Sequence, residues 1–345
     1  MLHNRTVGPT RSTVDPRPRT WERAWHDALY GPAGFYRSTT PGRHFATSAQ
    51  GIPGGGELLA EAVVALAGRH GCTRVVDVGA GGGELLAGVG ALAPGLRLTG
   101  VDVVDRRGAG HRIHDWVLSP GGVALPHALA GLTDTLVVAH EWLDVVPCPV
   151  VEWDEAGTWR EVSVLPDGAE TAGEPVGGQA LRWLGRWVPD HVDRAEVGLP
   201  RDRAAADLLG RLDGGVLLLV DYGHLRGDRP PHGTLTGFRH GREVAPVPDG
   251  SCDLTAHVAV DSLVDHLSLT HRVEQPDVVP QRVALTDLLP HAGAPVPHEL
   301  ARREPTAYLG ALARRAALRT LTAPGGLGDF TWITVRVPQD RRGRQ

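Results

Sequence analysis

Two rhythms alternate along this chain. Short apolar runs recur, and between them apolar residues fall three and four positions apart, the spacing of one helix face. The runs predict strands at Val75–Val76, Leu96–Val101, His111–His114, Thr135–Ala139, Gly215–Val220, Leu269–Val273 and Phe330–Val337. The helical spacing predicts a helix over Trp21–Tyr30, with Trp21, Trp25 and Leu29 on one face. A second covers residues 54–67, striped by Leu58, Leu59, Ala62, Val63 and Leu66. Further helices run through Leu85, Leu86, Val89 and Leu92, over Asp202–Leu212, and over Tyr308–Leu321. Residues 253–258 read as the opening of another helix, with Thr255 as its N-cap. Val150–Trp153 and Trp159–Val164 flank a turn as a β-hairpin, and Trp183 and Trp187 sit four apart on a short packing helix. Residues 166–178 read as a connection and 223–253 as mostly loop. Strands alternating with helices point to an α/β fold with a doubly wound sheet.

One βαβ unit organises the rest, from Arg74 to Asp102. An apolar run ends at Asp77, Gly79-Ala80-Gly81-Gly82-Gly83 follows, then a helical pattern, then a strand closing on Asp102. Glycines let a backbone pass close to a ligand where a Cβ would collide. An acid at the tip of the next strand can accept hydrogen bonds from both ribose hydroxyls. A dinucleotide site wants G-x-G-x-x-G, but the sixth position counted from Gly79 is Glu84. The pattern present is acid-x-G-x-G-x-G, through Asp77, Gly79, Gly81 and Gly83. It resembles motif I of class I S-adenosylmethionine-dependent methyltransferases, with Asp102 as the ribose-binding acid. A glycine turn in an unrelated α/β protein is the alternative.

Three other stretches carry candidate chemistry. Residues 31–48 hold Phe35, Tyr36 and Phe45 in a long loop, either a lid or an irregular N-terminal cover. Asp115 and Trp116 follow the expected third strand, where they are placed to meet an adenine. A surface Asp and a core Trp are the other reading. His140-Glu141-Trp142-Leu143-Asp144 follows the fourth strand. Its two carboxylates can grip a cation or take a proton, or else cap a helix. It begins like H-E-x-x-H, but position 144 is Asp, so no metal site is expected.

Composition narrows the partners. With 35 basic and 40 acidic residues the net charge is −5, which gives no reason to expect nucleic acid. Every basic residue is Arg, and 45 Gly, 27 Pro and a single Met accompany them, a coding bias rather than a functional signal. Cys72, Cys148 and Cys252 are too far apart for a zinc clip or a disulfide framework. No apolar stretch reaches membrane-span length and the first residues lack a signal-peptide core, so a cytoplasmic location is expected.

Several separated motifs resemble one family, the MidA-like S-adenosylmethionine-dependent methyltransferases, whose relatives include the mitochondrial complex I assembly arginine methyltransferase. The resemblance runs from about Trp21 to Val337. The family's G-F/Y-Y matches Gly34-Phe35-Tyr36, and its Gly-Asp-Phe-x-Thr-Ser-Pro-Glu resembles residues 42–50. Its Asn-Glu-Phe-Phe-Asp-Ala-Leu-Pro is similar to residues 140–147, and W-x-E to Trp159-Arg160-Glu161. I-D-Y-G matches Val220-Asp221-Tyr222-Gly223, and D-I-T-x-H-V matches residues 253–258. The departures are His140 for Asn, the loss of both acids from the Gly-Asp-Phe loop, and Ala80 and Gly82 where the family has Pro and Arg.

The resemblance implies S-adenosylmethionine as cofactor, covered by Phe45, Thr47 and Ser48. It implies Glu141 and Asp144 as catalytic carboxylates with His140 beside them, and Tyr36, Asp221, Tyr222, Asp253 and His257 on the substrate side. The implied acceptor is a protein arginine. A small molecule of a biosynthetic pathway, or an assembly role that keeps only cofactor binding, are the alternatives. The expected organisation is a disordered tail over 1–19, a helical cover and lid over 20–70, and a methyltransferase domain over 71–338. That domain carries insertions near 146–200 and 223–256, and 339–345 forms a basic tail.

Overall fold

Strand positions alternate between two apolar layers, and this alternation builds the molecule. In Thr135–His140, Leu136 and Val138 join one core cluster while Val137 and Ala139 join the other. In Gly215–Asp221, Val216, Leu218 and Val220 face the first cluster, and Leu217 and Leu219 the second. Strands buried on both faces need helices on both sides. The first face is covered by Gly55–Arg69, Glu84–Leu92, Gln281–Leu288 and Pro305–Leu321, the second by Leu199–Leu209 and Val260–Ser268. The computed structural model describes residues 17–39, 52–105, 112–269 and 273–339.

Among the described residues the main sheet has seven strands, numbered in chain order: β1 Arg74–Val78, β2 Arg97–Asp102, β3 Asp115–Leu118, β4 Thr135–His140, β5 Gly215–Asp221, β6 Asp277–Pro280 and β7 Thr331–Val337. Their spatial order is β6-β7-β5-β4-β1-β2-β3. Neighbours from β3 to β5 pair in parallel, and β7 runs antiparallel to both β5 and β6. The order reverses between β1 and β4, so their C-terminal ends open a crevice where such sheets bind ligands.

The expected insertions are folded β-structure. Val150–Trp153, Trp159–Val164, Glu170–Pro175 and Arg194–Glu196 form a second sheet, which Arg19–Thr20 joins. Thr236–Arg239 pairs with Arg242–Val244 and Asp253–Thr255 in a third. The N-terminal helix Trp21–Tyr30 ties them together. Its Trp21, Trp25 and Leu29 pack with Val150, Val162, Val164 and Leu254, and Trp25 Nε1 donates to the Leu254 carbonyl at 2.9 Å.

Four sequence expectations fail. The third strand is Asp115–Leu118, not His111–His114, of which His111 lies outside the described residues. The sixth is Asp277–Pro280; of the expected Leu269–Val273, Leu269 ends the helix Val260–Ser268 and is exposed, while residues 270–272 lie outside the described residues. Residues 253–255 are a strand, so Thr255 caps no helix. The connection over 166–178 contains the strand Glu170–Pro175.

Gly215 opens β5 at φ +140°, and a Cβ there would stand 2.1 Å from the Thr135 carbonyl oxygen. Gly215→Ala is expected to cost more than about 2 kcal/mol by urea denaturation, since backbone must move. Gly310, in the middle of a helix with nothing within 4 Å of its Cβ position, is the control. Gly310→Ala is expected to gain about 0.5–1 kcal/mol.

Candidate functional site

The glycine stretch becomes the turn its spacing predicts. Gly79, Gly81 and Gly83 sit at φ +80°, +57° and +82°, where a side chain is strained. The amides of Gly79 and Ala80 donate to the Val101 carbonyl at 2.9 and 3.1 Å, folding the loop over the end of β2. There the Gly81 amide donates to Asp102 Oδ2 at 2.9 Å, which fixes Asp102 beside the loop. Asp77 is buried beneath it. Burial first, then Asp102 and Glu84, push its carboxyl up to about 7.

Asp115 and Trp116 do not meet this end of the sheet. They begin β3 rather than end it, and pair with Thr99 and Gly100. Asp115 Oδ2 accepts from Arg97 Nη2 at 2.9 Å at the start of β2, remote from the glycine loop, and the Trp116 ring lies across Gly100. The β3 residue aligned with Asp102 is Leu118, which is 62% exposed. The cofactor-binding role expected of Asp115 and Trp116 therefore fails, and Leu118 stands at the position described.

The end of β4 turns sharply. Glu141 adopts φ +51°, its amide donates to the Val220 carbonyl at 2.8 Å, and Trp142 comes to rest beside Gly79. Glycine loop and acid-bearing turn are thus neighbours. Asp221, at the end of β5, accepts from the amides of Leu143 at 2.9 Å and Asp144 at 3.2 Å. Asp144 is buried, and its Oδ2 accepts from Tyr222 Oη at 2.9 Å and Thr255 Oγ1 at 3.0 Å. Its Oδ1, equally buried, has no donor among the described residues. Tyr36 Oη donates to Asp253 Oδ1 at 2.8 Å, and the His257 ring packs edge-on against Tyr222 at 5.1 Å between centroids.

Electrostatics follow from this crowding of acids. Burial, then Glu141, raise the Asp144 carboxyl to about 6, against the hydrogen bonds from Tyr222 and Thr255. Burial and the neighbouring carboxylates carry Asp221 and Asp253 well above the usual range. The phenols of Tyr36 and Tyr222 are pushed up by burial and then by Asp253 and Asp144 respectively. Burial lowers His140 to about 4, so its imidazole is neutral at pH 7, and Nδ1 lies 3.6 Å from Glu141 Oε1 as a polar contact rather than an ion pair.

Of the expected site, the structure brings together Asp77, Gly79, Gly81, Gly83 and Asp102 as one group, and His140, Glu141, Asp144, Tyr36, Asp221, Tyr222, Asp253 and His257 as another. Asp221 accepts from three backbone amides and so holds the turn. Phe45, Thr47 and Ser48 lie outside the described residues. Sequence reasoning missed Arg201, 1% exposed, and the roles of Tyr30 and Thr255. Tyr30 Oη donates to the Val145 carbonyl at 3.0 Å. No local pattern singled out Arg201, since Asp202 beside it is charged and buried as well.

Known proteins bear on this geometry. A family model described as "Putative S-adenosyl-L-methionine-dependent methyltransferase" matches residues 111–275. A methyl transferase candidate from Burkholderia thailandensis, crystallised bound to S-adenosyl-homocysteine, is 21% identical, covering 92% of this chain and 88% of that one at a TM-score of 0.69. A native crystal structure of an uncharacterized protein of the same superfamily and organism is also 21% identical, covering 93% and 88% at 0.69. These likenesses give the chain the methyltransferase fold. No functionally curated protein matches its sequence.

Calorimetry with S-adenosylhomocysteine tests the two halves of the assignment. Gly81→Val and Asp102→Ala are expected to lose most of the binding, whereas Asp115→Ala, three residues before the Leu118 that aligns with Asp102, is expected to bind as the parent does. Equal binding by all three folded variants would overturn the placement.

Proposed function

We propose that this protein, an S-adenosylmethionine-dependent methyltransferase by fold and family match, methylates a guanidinium nitrogen of a protein arginine, the N–H proton it loses passing to a carboxylate of the site. The observation that carries this is the unpartnered Oδ1 of Asp144 within a surplus of acids. Glu141, Asp144, Asp221 and Asp253 gather there, and the guanidinium among them, Arg201, gives its hydrogen bonds to carbonyls. An incoming guanidinium supplies both the missing donors and the missing charge, and its planar fork suits a carboxylate. The MidA-like likeness of residues 140–147 points the same way.

The cofactor, when bound, supplies a methyl group made electrophilic by a sulfonium. Gly79, Gly81, Gly83 and Asp102 would hold it, with Leu118 in place of Trp116 as the apolar residue on the base side. The resemblance adds Phe45, Thr47 and Ser48 as its cover. Glu141, whose side chain is 15% exposed, meets the acceptor first. Asp144 lies deeper and fixes which nitrogen turns toward the methyl. Holding the two reactants in line supplies most of the acceleration. A second reading rests on His140: a neutral imidazole beside Glu141 can take a proton from a hydroxyl or amine, which favours a small-molecule acceptor.

Methyl transfer from labelled cofactor into cell extract separates the two. Label in arginine of a protein band, reduced on the order of tenfold to hundredfold in Glu141→Gln and Asp144→Asn, is the expected result. Label confined to small molecules would sink the arginine assignment. The pH dependence has a definite sign: the Asp144 carboxyl titrates at about 6, so transfer should fall as pH drops through that value. A rate that is flat from pH 5 to 8 would count against an ionised Asp144.

A further inference from the structure

Arg201 is a fully buried guanidinium that makes no ion pair among the described residues. Such a cation is costly to bury, and its hydrogen bonds show what it is for. Nη2 donates to the Asp144 carbonyl at 2.7 Å and Nε to the Val146 carbonyl at 3.0 Å. Nη1 donates to the carbonyls of Ala256 at 2.9 Å and His257 at 2.8 Å. One planar group thus clamps the turn after β4 to the segment that carries Thr255 and His257. Its face lies 5.5 Å from the ring centroid of Trp25 on the cover helix, so three separate parts of the chain meet on it.

All four acceptors are neutral carbonyls, which satisfy the hydrogen-bonding groups without cancelling the charge. That charge is therefore left to act on the acids in front of it. Its influence opposes the burial of both Asp144 and Asp221, and disfavours protonation of His224 and His257. The other groups facing Asp144 are Glu141, Asp221 and Asp253, the phenols of Tyr30, Tyr36 and Tyr222, and the neutral His140. Arg201 thus works against the protonation of Asp144 and Asp221, a smaller influence than burial on each.

We infer that Arg201 is a positioning residue for methyl transfer: it clamps the Asp144 turn against the 256–257 segment and holds the Asp144 carboxylate in its charged form for the acceptor. The inference rests on reading Asp144 as the acceptor's partner, but its test needs no acceptor. The carboxyl carbons of the protein, labelled selectively with ¹³C in Asp, are titrated by NMR, with Asp144→Asn assigning the Asp144 resonance. In Arg201→Gln, which keeps a donor and loses the charge, Asp144 should titrate about one pH unit or more above the parent. In Arg201→Lys, which keeps the charge, it should titrate within a few tenths of the parent. An Asp144 that titrates alike in parent and Arg201→Gln overturns the inference. So does an Arg201→Lys variant that folds yet shows a fully raised Asp144, and this arm decides the matter alone if the Gln variant does not fold. A normal titration shift together with label found only in small molecules would leave Arg201 in its role and remove the arginine acceptor.

Discussion

The site depends on one carboxylate bonded to backbone amides. When β4 ends at His140 the chain must turn under a covering layer, and the amides of Leu143 and Asp144 are left buried without a strand partner. Each would cost about 1–3 kcal/mol if it stayed unbonded. Asp221, arriving from β5 at the same level, takes both on Oδ2 and its neighbour Tyr222's amide on Oδ1 at 3.1 Å. Burial and then the neighbouring carboxylates push its pKa well up, and the Arg201 charge and the hydrogen bond from the Asp144 amide work against that rise. The turn it fixes holds Glu141 in a left-handed conformation, a strain of roughly 1–3 kcal/mol that packing must sustain. Without that seam between β4 and β5, neither acid of the turn would have a defined direction.

From the seam, order spreads outward through side chains. Asp144 receives Tyr222 from β5's end and Thr255 from the third sheet, so the 223–256 insertion is fastened to the sheet at the reacting end. Arg201 and Trp25 continue the connection to the helix Leu199–Leu209 and to the N-terminal cover. This explains why a cover helix carries two fully buried tryptophans: it closes a polar network that would otherwise face water, where each hydrogen bond contributes less.

Central strands were legible in the sequence because burial on both faces leaves an unbroken apolar run, as in Val216–Val220. Edge strands were not. Asp115–Leu118 is half-exposed and Asp277–Pro280 begins with two exposed residues, so neither writes a clean period, whereas the apolar Ile113 and Leu269 drew the prediction to their own stretches. The polar Glu170–Pro175 was invisible for the same reason. The glycine loop could be read because its constraint is local: φ must be positive at fixed positions. The acid cluster could be read only as a list of residues, since Asp144 meets Tyr222 and Thr255 across 78 and 111 positions. Arg201, whose partners lie 55 to 57 positions away, carried no local pattern at all.

Charge on the cofactor side completes the argument about the acceptor. Gly82 stands where the resembled family has Arg, and the bare backbone lets Glu84 fold back so that its Oε2 accepts the Gly82 amide at 3.0 Å. A Cβ at position 82 would lie 2.4 Å from Glu84 Oε1, so any side chain there must displace that carboxylate, which as a flexible end can swing away. Seated in the first turn of Glu84–Leu92, the carboxylate complements the helix dipole. It also adds a negative charge near Asp77 and Asp102, the smallest of three causes, after burial and Asp102, that raise Asp77 to about 7. The crevice is therefore acidic on the glycine-loop side as well as at the β4 turn. A sulfonium and a guanidinium both suit such a field, whereas a phosphate or carboxylate acceptor would be repelled from both walls.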